Sequence, residues 1–146
     1  MKKLLSMILF AASLLVASPT FAQSPNYSMG PVWRVSYYSI KPGMSDAFWK
    51  DFRENFKPLY EEFKKEGWIT DYKVYLNPVT DHPGDWDVAI ATAYPNWAGI
   101  DQLEAKAATV VAKHYGSREA AMEAAKKRVD LRELVASHLA EEVLPK

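Results

Sequence analysis

VWRVSYYSI, residues Val32 to Ile40, runs directly into Lys41-Pro42-Gly43. The stretch is β-branched and aromatic, the composition of a strand. The tripeptide then forces a turn, because proline fixes φ and glycine permits positive φ. Successive strand residues point to opposite faces, so Trp33, Val35 and Tyr37 share one side and Val32, Arg34, Ser36, Tyr38 and Ile40 the other. Neither side reads as a solvent face. Such a strand has to be covered twice.

The chain on either side supplies one cover. After Gly43, Ser45 stands where a helix N-cap belongs, with Asp46 in the first turn. Phe48, Trp49, Phe52, Phe56, Leu59, Tyr60 and Phe63 recur as one helical stripe. Pro58 is expected to kink or split that helix, and Gly67 to stop it. Trp68–Leu76 and Trp86–Tyr94 read as two strands of a hairpin with a long loop marked by Asn77-Pro78 and Pro83-Gly84. In the second of these, Trp86, Val88, Ile90 and Tyr94 oppose Ala89, Ala91 and Ala93. Asn96 caps a second helix with the stripe Ile100, Leu103, Ala107, Val110, Val111 and His114, which ends at Gly116. Ser117 opens a further Ala-rich helical stretch to about Val129.

The last segment, Asp130 to Val143, has helical local composition, yet a strand there would complete the order β-α-β-β-α-β. That order is the ferredoxin-like α+β fold, with a four-stranded antiparallel sheet and helices on one face. The second face, apolar as well, is expected to be covered by another copy of the sheet in a homodimer.

The N-terminus reads as an address. Lys2 and Lys3 precede an apolar run from Leu4 to Val16, and Thr20 and Ala22 are the small residues before a cleavage point. Residues 1–22 are therefore expected to be a signal peptide, residues 23–31 a flexible leader and residues 32–146 the folded domain. The run is too short to span a bilayer, which takes about 20 apolar residues, so no membrane span remains after cleavage. The protein is expected to be secreted or periplasmic.

Composition narrows the chemistry. The chain has 146 residues, 18 Lys plus Arg against 18 Asp plus Glu, and no cysteine. That length suits one domain. Zero net charge argues against nucleic acid as a partner. Without cysteine there is no disulfide, thiolate nucleophile or thiolate-ligated metal. There is no Gly-rich phosphate loop, GxSxG elbow or HExxH. Asp81, His82 and Asp85 cluster, but beside Pro83-Gly84 they read as a turn, and no metal is expected.

Ile40-Lys41-Pro42-Gly43, Phe48 and Phe52 on the first helix, Asp85-Trp86-Asp87-Val88 at the start of the third strand and Tyr94-Pro95-Asn96-Trp97 after it together carry a resemblance. The chain resembles the dimeric α+β barrel superfamily, of the antibiotic-biosynthesis-monooxygenase and stress-responsive type, over roughly Val32 to Val143. The resemblance implies two ferredoxin-like protomers packed sheet against sheet, with residues 132–143 as the fourth strand. The superfamily includes cofactor-independent monooxygenases, haem-degrading enzymes and haem peroxidases. The haem-degrading branch combines a Trp, an Asn and a second-helix His. His114 matches in position, whereas the first strand, VWRVSYYSI, carries no Asn. No cofactor is expected, with haem as the alternative.

Six residues are candidates for a site. Arg34 can bind a carboxylate or enolate with Tyr38 as its hydrogen-bonding neighbour, or pair with an acid across a dimer. His114 can shuttle a proton or ligate iron, or simply cap its helix end. Trp68, Tyr72 and Trp86 can line an aromatic pocket, or fill the space between sheets. The expected function is binding of a small apolar or aromatic molecule. A cofactor-independent monooxygenase-like enzyme using Arg34, Tyr38 and His114 is the alternative, and an interaction protein of the cell envelope a third.

Overall fold

The computed structural model describes residues 26–79 and 81–146. The expected signal peptide and the first residues of the leader lie outside the described residues. Strand β1 is Tyr27–Ile40, helix α1 Ser45–Asp51, a π-helical turn Phe52–Phe56, helix α2 Lys57–Lys65, strand β2 Asp71–Leu76 and strand β3 Val88–Tyr94. Helices α3 (Trp97–Tyr115) and α4 (Arg118–Lys127), one 3₁₀ turn (Arg128–Asp130) and strand β4 (Arg132–Pro145) follow. The sheet order is β2-β3-β1-β4, antiparallel at each pairing. Each β-to-β crossover therefore skips a strand, which is the ferredoxin-like α+β arrangement.

β4 forms against its local helical composition because β1 offers it a partner along nearly its whole length, from Ile40↔Arg132 to Tyr27↔Pro145. Tertiary pairing outweighs propensity here. The same pairing changes the expected leader: Tyr27, Ser28 and Met29 pair with Pro145, Leu144 and Val143, so residues 27–31 are strand. Pro31 has no N–H to give the ladder, and the register shifts between Met29 and Val32.

The first helix is split as Pro58 requires. Without its N–H, Pro58 cannot bond the carbonyl one turn back, and the chain widens just before it, with Lys57 N–H reaching Phe52 O in an i→i−5 bond. The helix start differs from expectation: Ser45 is already inside, and Met44 precedes it with no side-chain cap. Asn96 and Ser117 do cap, accepting from the N–H groups of Gly99 and Ala120. Gly116 ends α3 at φ 87°, where a side chain would be strained.

Helix-facing residues of the sheet bury two clusters. Phe48, Phe52, Val88 and Ile90 form one, and Phe63, Ile69, Tyr94 and Ala107 the other. An aromatic ladder joins them, Phe52 to Phe56 at 6.1 Å, Phe56 to Tyr60 at 6.0 Å and Tyr60 to Tyr72 at 5.0 Å between ring centroids. Among the described residues no helix is long and apolar enough to cross a membrane.

Candidate functional site

The two clusters leave a cavity of about 370 Å³ between the sheet and the helices. Its size lies at the lower end of small-molecule sites, about 300–1,000 Å³. Alternate residues of β1 and β3 make the floor: Arg34, Ser36 and Tyr38 from one, Ile90, Thr92 and Tyr94 from the other. The period of two places all six on one face, and the register sets Arg34 opposite Thr92 and Ser36 opposite Ile90. Phe56, Leu59, Tyr60 and Phe63 close one side, Leu103, Val111 and Tyr115 of α3 another, and Ala121 and Ala125 of α4 with Arg128 the last.

The walls are therefore apolar with polar groups concentrated on the floor and at one end. Arg128 lies over the Phe56 and Tyr115 rings, donates to the Tyr115 hydroxyl, and through Nε reaches Asp51 Oδ2 at 3.0 Å. Arg34 is different: its guanidinium lies 5.7 Å from the Tyr94 ring centroid, with no carboxylate partner among the described residues. Ser36 Oγ is 3.2 Å from Ser137 Oγ. Beside the cavity, Arg132 is packed over Tyr38 at 4.0 Å and Phe56 at 4.7 Å. Its Nη1 is buried without a hydrogen-bond partner, and burial lowers its pKa.

Burial also raises the phenols of the cavity. Tyr60 is pushed up to about 12, chiefly by desolvation and then by neighbouring Tyr38. Tyr94 and Tyr115 are raised by burial, with Arg34 and Arg128 respectively pulling the other way. These groups are hydrogen-bonding phenols at neutral pH.

The six sequence candidates do not converge. Arg34 and Tyr38 line the cavity. Tyr72 stacks on the far side of Tyr60 and donates to Glu61 at 2.6 Å, while Trp68 packs on Phe63 at 5.7 Å; neither lines it. Trp86 is on the opposite face of the sheet. β3 begins only at Val88, so the strand alternation does not extend back to Trp86, which joins Trp33, Val35, Tyr37, Ala89 and Ala91 in a shallow hollow there. Its ring meets Tyr37 edge-on at 5.3 Å. His114 is exposed on α3 and bonds Asn55 Oδ1 at 3.0 Å. An acceptor oxygen there makes Nε2 the protonated ring nitrogen.

Several cavity residues escaped the sequence reading. Ala121, Ala125 and Arg128 come from a segment whose only signal was an Ala-rich stretch, and their role depends on how α4 packs beside the cavity; Tyr115 is the last residue of α3, one position past the stripe that ends at His114. Asp85, one of the turn cluster, spends its carboxylate on the Trp86 and Asp81 amides and on Asn77 Nδ2. Those bonds hold its pKa below the ordinary value.

No protein-family model and no curated protein matches the chain. Among solved structures it is similar to a dimeric protein of unknown function and ferredoxin-like fold from Bacteroides fragilis, at 15% identity and a TM-score of 0.43, over 77% of this chain and 95% of that one. The fold class rests on the strand order itself.

Proposed function

We propose that this is an exported, homodimeric α+β protein that binds a small molecule with an apolar or aromatic body. The cavity between helices and sheet carries the reading: it combines aliphatic and aromatic walls with a few convergent polar groups, the usual make-up of a ligand site. Export is supported by the pattern of residues 1–22. Dimerisation is supported by the second sheet face, where Trp33, Val35, Tyr37 and Trp86 crowd over small alanines with no helix of the described residues above them.

Binding is better supported than turnover. The monooxygenase-like alternative needs Arg34, Tyr38 and His114 to meet at one substrate, and His114 instead stands outside, tied to Asn55.

Native mass spectrometry of the protein purified from an exporting host tests all three parts. The expected species is a dimer of chains beginning at Gln23 with a small-molecule mass increment. Ala125→Trp, which fills the cavity from α4, should remove the increment. An increment that survives Ala125→Trp would place the ligand elsewhere, and a chain retaining residues 1–22 would overturn export.

A further inference from the structure

The cavity has an unbalanced charge. Its lining includes two arginines, Arg34 and Arg128, and no carboxylate. Arg128 is compensated by Asp51 at 3.0 Å. Arg34 is not: its guanidinium faces the Tyr94 ring, and no described carboxylate lies within ion-pairing reach. Arg132 adds a further positive charge behind Tyr38 and Phe56, again with no acid paired to it. A half-buried guanidinium beside apolar walls is costly until an anion and hydrogen-bond acceptors reach it.

Resting on the ligand-binding reading above, we propose that the ligand is a monocarboxylate with an apolar or aromatic body, its carboxylate held by Arg34. The hydroxyls of Ser36 and Thr92 flank Arg34 on the same sheet face, one two residues along β1 and the other directly opposite on β3. With Ser36 accepting from the Ser137 hydroxyl and Thr92 from the Tyr60 hydroxyl, both can still donate to carboxylate oxygens that the guanidinium fork engages in its plane. The Tyr94 ring below the guanidinium steadies that fork. Leu59, Phe63, Leu103 and Val111 then receive the hydrocarbon part. One uncompensated lining charge matches one ligand charge. Arg132 is not part of the lining, so the second charge of a phosphate monoester would enter the apolar chamber with no lining cation left for it.

The test compares 2-naphthoate with its neutral analogue 2-naphthamide by isothermal titration calorimetry. The two differ only in the group offered to Arg34. Naphthoate is expected to bind at least tenfold more tightly than the amide. Arg34→Gln should bring the ratio near one, and Arg34→Lys, which keeps the charge but loses the fork, should leave it in between. Equal affinities in the unsubstituted protein, or a ratio that survives Arg34→Gln, would overturn the carboxylate assignment while leaving cavity binding intact. If neither probe binds at millimolar concentration, the small-molecule reading itself falls and the assignment with it. The unsubstituted ratio decides even if a variant does not fold.

Discussion

Asp51 and Arg128 meet at 3.0 Å across 77 residues of chain, joining the end of α1 to the turn that leads into β4. Asp51 is shared: its other oxygen accepts from Asn55 Nδ2 at 2.7 Å, and Asn55 in turn accepts from His114. One carboxylate thus ties α1, the π-helical turn, α3 and the 3₁₀ turn into a frame around the cavity. Both partners are mostly buried, with side-chain exposures of 16% and 19%, so water replaces the bonds poorly. Hydrogen bonds to charged groups contribute about 1.5–3 kcal/mol each. Asp51→Ala is expected to destabilise the fold by about 2–3 kcal/mol, read as a lower urea midpoint at unchanged slope. Asn55→Ala, which removes only the neutral arm, should cost less, about 1 kcal/mol. Equal losses would mean that the Arg128 contact contributes nothing of its own.

The Tyr60–Tyr72 stack gives an alkaline prediction. Both phenols are pushed up to about 12, Tyr60 by burial and then Tyr38, Tyr72 by burial and then its bond to Glu61. An unfolded tyrosine ionises near pH 10. The folded state therefore holds these protons more tightly than the unfolded state. The associated stability is fully present below about pH 10 and is lost as pH rises towards about 12. Phenolate absorbance should show at least two tyrosines titrating well above the rest, and Tyr60→Phe should remove one of them. A single titration near the ordinary value would show that neither phenol is protected.

The element order was legible because its signals are local: the Lys41-Pro42-Gly43 turn, the caps at Asn96 and Ser117, the stop at Gly116. Arg34, Ser36 and Tyr38 were legible as one group because a strand's period of two needs no tertiary information. The misreadings came where a neighbour decides. Trp86 looked like part of β3 by alternation, but the strand starts two residues later and its ring goes to the other face. Residues 27–31 looked like leader because their partners, 143–145, lie at the far end of the chain. His114 looked like an isolated polar end to a stripe, and no pattern links it to Asn55, 59 positions away. The cavity's outer wall was illegible for the same reason: Ala121 and Ala125 carry meaning only once α4 packs beside the cavity.

Ile69 is 1% exposed although it sits in the connection between α2 and β2, outside any regular element. It is wedged with Phe63, Tyr94 and Ala107 beneath the far end of the cavity. Truncating a buried Ile to Ala costs about 2–5 kcal/mol, and Ile69→Ala should fall in that range by urea denaturation. Ile69→Val should lose about 0.5–1.5 kcal/mol. A cost below 1 kcal/mol for the alanine would show that the connection collapses into the space without penalty.

The second sheet face supports the last prediction. Val35 lies at its centre on β1, opposite Ala91 on β3 and His138 on β4. Around it stand Trp33, Tyr37 and Trp86, with Lys73 over the Trp33 ring at 5.1 Å and Glu142 accepting from its indole N–H at 2.8 Å. Apart from His138, which packs edge-on against Tyr37, the centre is apolar and the charges lie towards the margin, the anatomy of an interface core inside a polar rim. Two copies meeting face to face would bury Val35 in the interface core. Val35→Glu then puts an unpaired carboxylate into that core without its water, and dimer dissociation measured by sedimentation equilibrium should become at least tenfold more favourable. Val35→Thr, close in shape, should weaken the dimer far less. The cavity lies on the other side of the sheet, so naphthoate affinity should be the same for the Val35→Glu monomer as for the dimer. Sedimentation of the unsubstituted protein as a monomer would remove this face from the account of assembly and leave the cavity as the site to pursue.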